Sequence, residues 1–143
     1  MNTFVVDASV AAKWVLPPAN ETLVPEALRL LDLYAKGEVR FLVPDVFWAE
    51  LGNVLWKAVQ QKRLTSATAV QAVKTMRSRG LPSVASEKLL SDALSVALST
   101  GRTLSDCLYV TLAMASHAQF VTADENLANA VAARLPVKWL GAF

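Results

Sequence analysis

The sequence is poor in the residues that soft-metal and nucleophilic chemistry need. Its 143 residues include one cysteine, Cys107, and one histidine, His117. A single cysteine closes no internal disulfide, and no CxxC or Cys/His spacing offers zinc ligands. A reducing cytoplasm is the expected setting. No Ser/His or Cys/His arrangement supplies a nucleophile with its base. Charge is also scarce. Lys, Arg, Asp and Glu make up 18% of the chain, below the usual quarter or so. A net charge of +2 argues against a basic surface over the whole chain, though not against a local basic groove. No run reaches the roughly 18 apolar residues of a membrane span. The stretch from Met1 to Leu16 carries Asp7 and no basic start, so it reads poorly as a secretory signal. There is no linker, internal repeat or low-complexity segment.

What is abundant is apolar surface: 54% of the residues are hydrophobic. A chain of this length is expected to fold as a single domain, residues 1–143, removing about two-thirds of its unfolded surface from water. Short apolar runs at Thr3–Val6, Val39–Val43, Leu81–Val84, Gln119–Thr122 and Val137–Leu140 predict buried strands. Between them the spacing predicts helices over Ala8–Leu16, Pro25–Lys36, Val46–Lys62, Thr65–Arg79, Glu87–Thr100, Ser105–Ser116 and about Asn126–Arg134. Gly37, Gly80 and Gly101 stand where three of them stop. The helix from Ser105 is apolar nearly all round, so it should be buried. Strands alternating with helices imply an α/β fold, with a parallel sheet and helices on both faces.

Twelve carboxylates are present, and most fall on polar helix faces or in loops. Four stand apart. Asp7 and Asp124 each follow a predicted strand directly, a position shared by metal-binding acids and by ordinary helix N-caps. Thr122 and Glu125, like Thr103 and Asp106, also have capping-box spacing, so Asp106 equally reads as a cap residue. Glu50 is harder to place as structure. It lies inside a helix, at the edge of the apolar face formed by Phe47, Leu51, Val54 and Ala58, and an unpaired charge there is costly. A surface pair with Lys57 is its bland alternative. In open parallel sheets, ligands sit beyond the carboxyl ends of the strands, and all four acids can converge on that rim. Carboxylates so close repel one another unless a cation joins them. Oxygen-only ligands favour Mg²⁺ or Mn²⁺, and such an ion suits hydrolysis of a phosphodiester.

Four segments in this order resemble the PIN-domain nucleases. They are Val5-Val6-Asp7-Ala8-Ser9, Pro44-Asp45-Val46-Phe47-Trp48-Ala49-Glu50, Ser105-Asp106-Cys107-Leu108-Tyr109-Val110 and Val121-Thr122-Ala123-Asp124-Glu125-Asn126-Leu127. Within that family the chain looks most like the VapC-type toxins of toxin–antitoxin pairs. The resemblance spans essentially the whole chain. It implies a three-layer α/β sandwich around a mostly parallel sheet, a Mg²⁺ or Mn²⁺ site and endoribonuclease activity. Carried over by position, Asp7, Glu50, Asp106 and Asp124 are the metal-binding and catalytic acids. Ser9 and Thr122 become hydroxyls supporting the carboxylates, with Asn126 assisting. A homodimer and a cognate antitoxin are further implications.

Lys13 and Arg102 are the cations expected nearest the rim, as contacts for RNA. Lys57, Lys62, Arg63, Lys74, Arg77 and Arg79 read first as solvated helix faces, and second as a phosphate-binding groove. Trp14, Trp48 and Trp56 serve equally as core or as a partner interface. Two other functions stay open. A Mg²⁺-dependent phosphatase or phosphotransfer domain also places Asp after a first strand, but its second acid is replaced here by Ser9. A non-catalytic RNA- or protein-binding module would not need four acids.

Overall fold

The structure, a computed structural model, describes residues 1–143. Five strands form one sheet: β1 (Asn2–Val6), β2 (Val39–Pro44), β3 (Ser83–Val84), β4 (Gln119–Thr122) and β5 (Val137–Trp139). Their order is β3-β2-β1-β4-β5, and every neighbouring pair is parallel. The helices are α1 (Ala8–Ala11), α2 (Val24–Ala35), α3 (Val46–Gln60), α4 (Ser66–Ser78), α5 (Ser86–Thr100), α6 (Leu104–Ala115) and α7 (Glu125–Val131). This is the α/β fold expected from the alternation of periods. No helix is long and apolar enough to cross a membrane.

The central strand explains why the sheet is covered on both faces. Phe4, Val5 and Val6 are all buried, and a strand with no polar face needs helices above and below it. Register separates the two faces. Val5 lies opposite Leu42 and Phe120, and Tyr109 of α6 stacks on Phe120 at 4.9 Å. Phe4 lies opposite Phe41, whose ring is stacked between Tyr34 of α2 and Trp14. Burying each such aromatic contributes roughly 2–3 kcal/mol. Helix α6 is buried continuously from Cys107 to Ala113, as its unbroken apolar composition predicts. Trp14 belongs to this core, and its indole N–H donates to the Ala27 carbonyl at 2.9 Å. Trp48 is half-buried against the edge of Phe47. Trp56 is 58% exposed.

Several element ends differ from the expectation, each for a local reason. The helix after β1 is α-helical only to Ala11 and tightens into a 3-10 turn over Ala12–Trp14, ahead of Pro17 and Pro18, which cannot continue it. Helix α7 stops at Val131 rather than Arg134, where the chain passes into a turn with the Arg134 and Leu135 N–H groups both on the Val131 carbonyl. At the other end, Asp124 itself caps α7 by accepting from the Leu127 N–H, so Thr122 and Glu125 form no capping box. Gly101 ends α5 with φ of 72°, a left-handed geometry that glycine adopts without steric cost.

Candidate active site

Asp7 is placed by the central strand. It follows β1, and its backbone N–H donates to the Val121 carbonyl at 3.0 Å, holding it beside β4. Its carboxylate does two jobs. One oxygen caps α1 through the Ser9 N–H at 3.5 Å. The other accepts from the Thr122 hydroxyl at 2.7 Å. Thr122 is fully buried, and its oxygen also accepts from the Asp124 N–H at 3.1 Å. The Ser9 hydroxyl accepts from the Ala123 N–H at 3.2 Å. Ser9 and Thr122 therefore tie the ends of β1 and β4 together around Asp7. Asp7 is thus the N-cap of α1, and the same carboxylate lies at the rim beyond β1.

Glu50 sits on α3, half-buried, and makes no pair with Lys57. Its partners are two hydroxyls on α6. Ser105 donates to one carboxylate oxygen at 2.7 Å and Tyr109 to the other at 2.6 Å. Sequence reasoning passed over both residues. The signal available was their spacing, since residues four apart share one face of a helix, but nothing in the sequence showed that this face meets Glu50. Asp106, also half-buried, lies in the first turn of the same helix, capped by the Thr103 hydroxyl at 3.2 Å. Asp124 is exposed at the start of α7, with one oxygen on the Leu127 N–H at 3.1 Å.

The electrostatics bind the four into one group. Burial pushes Asp7 up from 3.8 to about 6, and the charge of Glu50 adds to this while hydrogen bonds from Thr122 and Ser9 oppose it. Burial likewise raises Asp106, helped by the charges of Glu50 and Asp124; the Thr103 hydroxyl and Arg102 act the other way. The chain's ion pairs are Lys13–Glu21, Arg29–Glu26, Lys36–Asp32 and Arg63–Glu21. None involves the four acids. Asp7 and Asp106, raised by burial and by neighbouring carboxylates and in no salt bridge, are what a hard cation would relieve. The donors are all oxygens, which fits Mg²⁺ or Mn²⁺. The arrangement is open rather than a cage: no three of these acids are placed to hold one ion as they stand. Glu50 is drawn to α6. Asp124 is turned to the start of its own helix, one oxygen on the Leu127 N–H.

The remaining expected residues divide. Arg102 is close enough to lower Asp106 by its charge. Lys13 is not a free phosphate contact. It is buried, with its ammonium on Glu21 at 3.2 Å, and Arg63 of the basic cluster reaches the other oxygen of Glu21 at 2.6 Å. A buried ammonium keeps such a partner because leaving it unpaired is costly. Asn126 is exposed on α7 and its side chain touches none of the acids through a hydrogen bond. The largest cavity, about 640 Å³, lies at the other ends of β1 and β2, beside Thr3, Val39 and Arg40.

Comparison with known proteins agrees with this architecture. The family model for the PIN domain matches residues 4–132. No curated protein matches the chain. Among solved structures, PAE2754 from Pyrobaculum aerophilum is 22% identical, with a TM-score of 0.73 over 99% of this chain and 91% of that one. VapC20 of Mycobacterium tuberculosis, described as a toxin that cleaves the sarcin-ricin loop, is 15% identical, with a TM-score of 0.65 over 92% and 95%. VapBC2 of Rickettsia felis, bound to a DNA fragment from its promoter, gives 14%, 0.64, 96% and 98%. At these identities the likeness shows the fold, and the match to the family model over most of the length adds the membership: this chain belongs to the PIN-domain family.

Proposed function

We propose that the chain is a Mg²⁺- or Mn²⁺-dependent endoribonuclease that hydrolyses RNA phosphodiester bonds, acting as the toxin of a toxin–antitoxin pair. The observation that carries this reading is a rim of four carboxylates, Asp7, Glu50, Asp106 and Asp124, coupled by charge and paired with no cation. These four would hold the ion. When bound, it supplies a nucleophilic water near neutral pH and neutralises charge on the phosphate.

The protein's own residues do the rest. Thr122 and Ser9 keep Asp7 aimed at the rim. Arg102, the cation that acts on Asp106, is the residue to meet a phosphate oxygen. Ser9 is turned to the Ala123 N–H, and no acid stands at its position, which disfavours a phosphatase with a nucleophilic Asp. The toxin reading draws on the neighbours. The Mycobacterium tuberculosis protein is described as a toxin, and a Klebsiella pneumoniae structure of the same fold, with a TM-score of 0.63, is a toxin–antitoxin complex. Two apolar surfaces would serve an antitoxin and a second copy of the chain. One is the groove between α3 and α4 beside Trp56, Val70 and Val73. The other is the exposed line of Leu90, Leu94 and Leu98 on α5.

The test is direct. Purified protein with Mn²⁺ or Mg²⁺ should cut members of a panel of single-stranded and structured RNAs, and EDTA or Asp7→Asn should stop it. RNAs left intact with both metals refute the nuclease. Phosphate released from a small phosphomonoester would favour phosphatase chemistry instead.

A further inference from the structure

We propose that Ser105 and Tyr109 are positioning residues that hold the Glu50 carboxylate in the orientation in which it receives the metal ion. This rests on the metal-dependent reading above and adds a part to it.

A glutamate on a helix has three side-chain torsions, and stilling such a side chain costs conformational entropy. Glu50 is stilled before any ion arrives. Each of its oxygens accepts one hydroxyl, from Ser105 at 2.7 Å and from Tyr109 at 2.6 Å. The two donors are four residues apart on α6, so they present a fork to one carboxylate. The fork is rigid at its Tyr109 end. That side chain is 1% exposed, and its ring is stacked on Phe120 at 15° between planes. The phenol therefore cannot swing away as an exposed serine or lysine could.

The chemistry of the donors matters as much as their number. An arginine in this place would orient Glu50 but would also take up its charge. Neutral hydroxyls orient it and leave the full negative charge for a cation. Each carboxylate oxygen also keeps a free lone pair after accepting one bond. Asp7 is treated in the same way, by Thr122 and the Ser9 N–H. Helix α6 carries Asp106 as well as the fork, so one rigid element sets the mutual placement of Glu50 and Asp106.

The experiment measures Mn²⁺ binding by titration calorimetry on the full chain near pH 7.5, for the parent, Glu50→Gln, Tyr109→Phe, Ser105→Ala, Ser105→Thr and the Glu50→Gln/Tyr109→Phe double variant. Removing a group that orients a metal ligand typically weakens the metal by roughly 10- to 100-fold, and we expect a loss of that order for Tyr109→Phe and a smaller one for Ser105→Ala. Ser105→Thr, which restores a hydroxyl, should bind close to the parent. In the Glu50→Gln background, Tyr109→Phe should have little further effect, because a residue acting through Glu50 has nothing left to act on. Tyr109→Phe keeps the stacked ring; if it nonetheless fails to fold, the Ser105 pair decides the matter alone. Parent-like affinity in Tyr109→Phe and Ser105→Ala, together with a loss in Glu50→Gln, overturns the fork and leaves the metal site standing. An undiminished Tyr109→Phe effect in the Glu50→Gln background overturns it as well. Failure of the parent to take up Mn²⁺ overturns the metal-dependent reading and the fork with it.

Discussion

Replacing Asp7 by Asn should make the metal-free protein more stable, although it should abolish activity. Folding raises Asp7 from 3.8 to about 6, chiefly through burial. An acid whose pKa is higher in the folded state holds its proton more tightly there. Its contribution to stability is therefore present at low pH and is lost as pH climbs from about 4 to about 6. At 1.4 kcal/mol per unit, the loss amounts to about 3 kcal/mol above that window. Asparagine carries no charge to desolvate and can keep its single oxygen on the Ser9 N–H, capping about as well, while its NH2 takes the place of the second oxygen and donates to the Thr122 hydroxyl. In EDTA at pH 8, Asp7→Asn should melt higher than the parent by up to about 10 °C, at roughly 2–4 °C per kcal/mol for a chain of this size. At pH 4 the two should melt nearly together. Saturating Mg²⁺ at pH 8 should reverse the order, raising the parent and leaving the variant where it was. The assay is thermal unfolding followed by circular dichroism at both pH values, with and without metal. If Asp7→Asn melts at or below the parent at pH 8 in EDTA, or keeps its advantage at pH 4, the account of Asp7 as a buried, uncompensated charge is wrong.

Two further outcomes test the scaffold around the site. Asp45 stands at the N-cap position of α3 yet caps α5, whose own N-cap residue Ala85 has no side-chain acceptor: it accepts from both the N–H and the hydroxyl of Ser86. Asp45→Ala should cost about 1 kcal/mol in urea unfolding while leaving Mn²⁺ affinity unchanged. Glu21 joins buried Lys13 to Arg63, and although burial alone would raise its pKa, those two cations bring it below 4.5. Glu21→Gln should cost roughly 2–3 kcal/mol at pH 7, somewhat under the penalty for breaking a fully buried pair. Because a depressed acid contributes stability only above its titration range, that difference should shrink as pH falls below 4.5. Equal differences at pH 7 and pH 3 in thermal melts would contradict it.

Much of the fold could be read from local pattern. Gln119–Thr122 is a strand to the residue, built on the fully buried β-formers Phe120 and Val121. The parallel sheet followed from strands that alternate with helices, since a parallel neighbour needs a crossover. Element ends were read less well where a helix passes into a turn, as α7 does after Val131. The rim was legible in the same way. Asp7 and Asp124 follow strands, and parallel strands all deliver their carboxyl ends to one edge.

What the chain alone determined, then, was the inventory: two acids after strands, one at a helix start and one inside a helix, no soft ligands, and an α/β frame to carry them. Tertiary structure decided which group each acid meets. Lys13 is near Asp7 in sequence but is drawn into the pair with Glu21, because a buried ammonium takes the carboxylate that packing brings to it. Glu50 has a lysine seven residues on, yet it meets Ser105 and Tyr109, some 55 and 59 positions away. Periodicity shows which face of a helix is apolar, but not which other helix will close over it. Partners so far apart in the chain meet because the fold brings the start of α3 and the start of α6 within hydrogen-bond reach, and only the folded molecule shows them.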